Sequence, residues 1–110
     1  MIEQIENQDI NELLVDNHTA TFLMRVSGYS MTGAGIYPGD IIVVDRSIEH
    51  RDNLIVVAAV NGEFTMKRLR KGKSSWELHP ENPKYPIIHL DPEDEVTLFG
   101  VVIGVTRKLV

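Results

Sequence analysis

The chain has 110 residues, of which 43% are hydrophobic and 25% charged, with a formal net charge of −5 and no cysteine. That length and composition suit one globular domain with one modest core, and they exclude a fibrous repeat, a disordered chain or a second folded unit. The acidic balance counts against a broad phosphate-gripping face, so direct sequence-specific DNA binding is not expected. Without cysteine there are no disulfides, no thiolate metal sites and no cysteine nucleophile, which points to a reducing, cytoplasmic compartment.

In chain order, a loose polar arm comes first. Asp9 can cap a short helix whose apolar face is Ile10, Leu13 and Leu14, with Glu12 three residues after the cap. From Thr19 the pattern changes to short β-branched and aromatic runs between turn residues: 21–26, 41–44, 54–60, 63–69, 75–78, 87–90 and 96–107. The spacing predicts a mainly β fold. Asn61-Gly62 marks a two-residue hairpin and Pro38-Gly39 a type II turn. The segment 79–86, with Pro80, Pro83 and Pro86, cannot be a regular central strand and reads as a surface loop.

The domain division expected from this pattern is an arm with a short helix over 1–18 and a β core over 19–110. The longest apolar runs are strand-length and no signal peptide opens the chain, so no membrane contact is expected. The histidines (His18, His50, His79 and His89) show no ligand pairing and read as surface or turn residues, so neither metal nor cofactor is expected. Lys67, Arg68, Arg70, Lys71 and Lys73 surround an expected turn at Lys71-Gly72-Lys73 and read as a solvated hairpin end.

Two residues carry candidate chemistry. Ser30 follows a strand and is flanked by Gly28, Gly33 and Gly35, so the backbone can turn sharply and leave amides facing a reacting carbonyl. Lys67 shares a strand face with Thr65 and Leu69, because strand side chains repeat every second residue. A lysine stem packed there loses hydration, its pKa falls, and the neutral amine can take a proton from a serine hydroxyl. The same residues also fit an ordinary glycine-rich turn and a lysine reaching out to solvent.

The motifs Ser27-Gly28-x-Ser30-Met31, Gly35-Ile36-x-x-Gly39-Asp40-x-x-x-Val44-Asp45, Gly62-Glu63-Phe64-Thr65-x-Lys67-x-Leu69 and Phe99-Gly100-Val101-Val102-Ile103 resemble the LexA and UmuD family of self-cleaving SOS-response proteins. The resemblance covers nearly the whole chain, with four motifs in the family's order. It implies a curved β-sheet domain of the LexA and signal-peptidase kind, with Ser30 as nucleophile and Lys67 as general base. It further implies that Thr65 orients Lys67, and that backbone near Tyr29 and Met31 borders the oxyanion hole. A membrane-anchored signal-peptidase relative is the weaker resemblance.

Within the family, the arm from Glu3 to Leu14 and the final run from Phe99 resemble UmuD more closely than LexA. Family members cut an Ala-Gly or Cys-Gly bond upstream of the serine, and none lies between Met1 and Ser30; Ala34-Gly35 comes after the nucleophile. The chain therefore resembles processed UmuD. The implied function is a homodimeric accessory subunit of an error-prone translesion polymerase. Its implied partners are a Y-family, UmuC-like polymerase and the RecA filament. The alternative is the C-terminal dimerisation and self-cleavage domain of a LexA-like repressor.

Overall fold

The computed structural model describes residues 2–5 and 20–109. The described strands are β1 (Ile2–Ile5), β2 (Thr21–Val26), β3 (Ile41–Asp45), β4 (Ile55–Val60), β5 (Glu63–Lys71), β6 (Trp76–His79), β7 (Ile88–His89) and β8 (Val96–Thr106). All neighbouring strands run antiparallel, in the spatial order β1-β2-β3-β8-β4-β5-β6-β7. The mainly β expectation holds, and each of the seven predicted runs overlaps one strand of this sheet. The helix expected from Asp9 lies outside the described residues.

The hairpin at Asn61-Gly62 forms as its residue types dictate, with both φ angles positive at 50° and 86°. Two positive φ values match the right-handed twist of the flanking strands, and asparagine followed by glycine tolerates them best. At the Pro38-Gly39 turn, Gly39 has φ of 90° and Asp40 N donates to Tyr37 O at 3.0 Å.

β8 ties the sheet together. Its first half pairs with β4 and its second half with β3, and a register shift interrupts each ladder, at Val57/Ala58 and at Val43/Val44. Such bulges bend a strand and increase its twist, so a sheet of one continuous order curls. Gly100 sits at the crossover, where a Cβ would lie 2.7 Å from Val44 Cγ1. The glycine of the Phe99-Gly100 motif is thus a close-approach residue rather than a flexible one.

Curling gives the central strands apolar cover on both faces. One cluster holds Met24, Val26, Met31, Ile36, Ile42, Val44, Val57 and Met66. A second holds Val56, Ala58, Leu69, Leu78 and Val101. Adjacent residues Val56 and Val57 enter different clusters, as period-two alternation requires of a strand buried on both sides.

The first residues depart from the expected loose arm. Ile2–Ile5 pairs with β2, from Ile2 opposite Val26 to Ile5 opposite Leu23. Ile-Glu-Gln-Ile lacks the alternation that marks a strand, and the stretch is recruited by the hydrogen-bonding edge that β2 offers.

Candidate active site

Ser30 stands in a loop that leaves β2 and returns at β3. The base of the loop is closed by Val26 N donating to Asp40 O at 2.9 Å and Gly39 N donating to Val26 O at 2.7 Å. Met31, 1% exposed, and Ile36, 4% exposed, plug the loop into the first core cluster. Thr32–Ala34 forms one 3₁₀ turn, which ends at Gly35 with φ of 81°. Arg107 fastens the far side, donating from Nε and Nη2 to the two carboxylate oxygens of Asp40 at 2.7 and 2.6 Å, and to Gly35 O at 2.8 Å. Tyr37 N adds a bond to Asp40 at 2.8 Å. The Arg107 guanidinium holds the Asp40 carboxyl below its ordinary value of 3.8.

With Met31 anchored inward and Tyr29 exposed, Ser30 is presented between them. The Tyr29 carbonyl accepts from Thr32 N at 3.3 Å, and the Met31 carbonyl accepts from Ala34 N at 3.0 Å. The amide N–H groups of Ser30 and Met31 donate to no group among the described residues. They are therefore available as donors to an oxygen brought against Ser30.

Lys67 arrives from the middle of β5. It lies opposite Val56, with Thr65 opposite Ala58, and Leu69 is the next residue on its face. These three apolar neighbours are fully buried and leave Lys67 itself only 7% exposed. Burial pushes the Lys67 amine below its ordinary value of 10.5, because the charged form loses hydration. No carboxylate forms an ion pair with Lys67 among the described residues.

Lys67 Nζ is hydrogen-bonded to Ser30 Oγ at 3.1 Å and to Thr65 Oγ1 at 2.5 Å. A residue 37 positions away in sequence is thus within proton-transfer distance of the serine hydroxyl. The arrangement can deprotonate a serine with an uncharged amine.

Sequence reasoning missed the residues that steady this pair. The proline-rich loop after β6 runs along the serine turn: Glu81 N donates to Ser30 O at 2.8 Å, and Gly33 N donates to Glu81 O at 2.7 Å. Asn82 Nδ2 donates to Tyr29 O at 2.9 Å, its orientation set by Lys84 N donating to Asn82 Oδ1 at 2.9 Å. Arg68 donates to the Glu81 carboxylate at 2.6 Å. It is therefore more than part of a solvated hairpin end, although Lys71 and Lys73 are exposed there as expected. The prolines gave a signal for a rigid loop, and nothing in their spacing said which turn the loop would touch.

His79 and His89 lie in β6 and β7 rather than in turns, and both contact Glu77, at 2.8 and 3.1 Å. Among the described residues no group of three or more His, Asp or Glu side chains could hold a metal ion. No described helix is long and apolar enough to cross a membrane.

A family model described as Peptidase S24-like matches residues 1–103. The chain belongs to that family. It is 44% identical over 87 residues to a LexA repressor of Delftia acidovorans, covering 79% of this chain and 39% of that protein. It is 42% identical over 94 residues to a LexA repressor of Methylococcus capsulatus, covering 84% of this chain and 46% of that protein. A LexA repressor of Bordetella avium is 43% identical over 86 residues.

These relatives overturn the expectation of a UmuD-like polymerase subunit. They carry the name LexA repressor, and they back the alternative reading instead. A translesion role and a UmuC-like partner have no support among them. The UmuD expectation rested on the arm from Glu3 to Leu14 and the run from Phe99, whereas the four motifs that carry the resemblance point to LexA and UmuD alike. The chain spans less than half the length of the curated relatives it matches.

Proposed function

We propose that this chain is the C-terminal self-cleavage and dimerisation domain of a LexA-like transcriptional repressor, with Ser30 as nucleophile and Lys67 as general base. The observation that carries the reading is the 3.1 Å contact between Ser30 Oγ and the buried Lys67 amine, which has no carboxylate partner among the described residues. Residues 19–110 form the peptidase core, and β1 adds a strand to its sheet. The active assembly is a homodimer in the cytoplasm, its cleavage stimulated by the RecA filament during the SOS response. DNA binding belongs to a separate domain of the repressor.

In the reaction, neutral Lys67 accepts the hydroxyl proton while Ser30 Oγ attacks the carbonyl carbon of the scissile amide. One Lys67 N–H stays on Thr65 Oγ1, which aims the lone pair at the serine. The Ser30 and Met31 amides donate to the oxyanion. As the carbon–nitrogen bond breaks, the Lys67 ammonium returns its proton to the leaving amine. Water then attacks the acyl-serine and gives a proton to Lys67; as the ester carbon–oxygen bond breaks, Lys67 returns that proton to Ser30 Oγ, which frees the second fragment as its acid and restores both residues.

The chemistry is tested without a natural substrate by a serine-directed fluorophosphonate and intact-mass detection. One phosphonyl group should map to Ser30, and Ser30→Ala should take none. Labelling should rise with pH through the depressed Lys67 pKa, because only the neutral amine is a base, and Lys67→Ala should remove both the rate and its pH dependence. Labelling elsewhere, or a flat profile from acid to alkaline pH, would sink the dyad. The repressor reading is tested by the mass of the native gene product in its own cells before and after DNA damage. A precursor carrying a DNA-binding domain, cut after damage, supports it; a product with no such domain overturns it.

A further inference from the structure

Ser30 and Lys67 come from parts of the sheet that its hydrogen-bond ladders do not join directly. The serine loop follows β2 and the lysine lies on β5, and β3, β8 and β4 stand between them in the sheet. A contact of 3.1 Å across that separation needs a local tie, because small adjustments along four ladders would otherwise accumulate at the dyad.

Glu81 supplies the tie with both its main chain and its side chain. Its N–H donates to Ser30 O at 2.8 Å, while its carbonyl accepts from Gly33 N at 2.7 Å, a two-bond grip on the serine turn. Its carboxylate accepts from Arg68 Nε at 2.6 Å. Arg68 is the peptide neighbour of Lys67, and it is itself fixed by donating from Nη1 to Asn53 O at 2.8 Å. The glutamate is two-thirds withdrawn from solvent and the arginine more so, with side-chain exposures of 35% and 24%. A pair this close and partly shielded holds its geometry better than two fully exposed charges would.

We propose that Glu81 is a positioning residue of the dyad: by gripping the peptide of Ser30 and the strand of Lys67 at once, it sets the distance between them. The proposal rests on the Ser30–Lys67 reading and extends it to a residue that touches no reacting atom. Asn82 works in the same direction from the next position, through its 2.9 Å bond to Tyr29 O. Losing the Glu81 carboxylate leaves the main-chain grip on Ser30 in place but frees β5 to shift against it.

The test uses Glu81→Ala, Glu81→Gln, Arg68→Ala, the double alanine variant and the exchanged pair Arg68→Glu with Glu81→Arg. Fluorophosphonate labelling of Ser30 is resolved into probe affinity and inactivation rate constant, well below each variant's melting temperature. Glu81→Ala and Arg68→Ala should each lower the rate constant by about 10- to 100-fold, the scale of a misplacement approaching 1 Å, with probe affinity unchanged. The double alanine variant should lose no more than either single one, since both cut the same tie. Glu81→Gln, which keeps an acceptor oxygen, should fall between. The exchanged pair should regain most of the rate; if it fails to fold, the non-additivity of the alanine variants decides.

A loss confined to melting temperature, with folded-state labelling at the parental rate, would overturn the positioning role. So would full additivity of the two alanine substitutions. If Ser30→Ala or Lys67→Ala labels normally in the same assay, the dyad reading itself fails. If both are silent while Glu81→Ala labels at the parental rate, only the positioning role fails.

Discussion

Gly33→Ala places a methyl group where the serine turn and the loop after β6 meet. Its Cβ would lie 2.4 Å from Glu81 O and 3.2 Å from Glu81 C. Carbon and oxygen tolerate no less than 3.0 Å and normally keep 3.4 Å, so the two segments must part by 0.6 to 1.0 Å, the gaps between 2.4 Å and those limits. The obstacle is main chain, which cannot swing aside as a side chain could. The Gly33 N to Glu81 O bond, 2.7 Å in the native protein, would then be stretched beyond useful length. Gly33 is not among the positive-φ residues, so its backbone accepts alanine and the cost is one of contact alone. Overpacking of this kind costs about 1–3 kcal/mol. With a urea slope of about 1.5 kcal/mol/M, a loss of ~2 kcal/mol lowers the midpoint by roughly 1.3 M. Urea unfolding followed by Trp76 fluorescence measures that shift, and fluorophosphonate labelling of the folded variant should slow by at least ~10-fold. An unchanged midpoint together with an unchanged labelling rate would refute the account of this contact.

Two further outcomes follow from the site. Asp40→Asn should destabilise the protein by about 1.5–3 kcal/mol, toward the low end because Arg107 is open to water. The folded pKa of Asp40 is depressed, so its stabilising contribution is present above the unfolded value of 3.8 and is lost as pH falls through the folded pKa. The gap between parent and variant in urea midpoint should accordingly shrink below pH 4, and a gap constant from pH 7 into that range would refute the assignment. Thr65→Val keeps shape but removes the acceptor for Lys67, and should slow Ser30 labelling by about 5–10-fold, the rate equivalent of ~1–1.4 kcal/mol, without displacing Lys67 from its burial. Labelling at the parental rate would leave Thr65 with no orienting part.

What could be read from the chain alone was local. Short β-branched and aromatic runs between turn residues located seven strands because those preferences belong to each run's own residues, and Asn61-Gly62 and Pro38-Gly39 announced their turns because φ preferences belong to single residues. Alternation also put Thr65, Lys67 and Leu69 on one face. Whether that face was wet or dry could not be read there, since burial depends on Val56 and Ala58 from another strand and on how far the sheet curls. The strand at Ile2–Ile5 escaped notice for a related reason: its existence depends on the edge of β2 rather than on its own pattern.

Family motifs proposed Ser30 and Lys67 from the sequence, but residues 37 positions apart have no distance until the chain is folded. Only the tertiary structure decided that separation, and only it showed that Glu81, some fifty residues beyond Ser30, lies hydrogen-bonded to the serine's own peptide. Hydrogen bonds between a turn and a distant loop leave no period and no spacing in the sequence, because they are fixed by where the sheet brings two irregular segments together. The residue types set the turns and strands; the closing of the sheet made them a site.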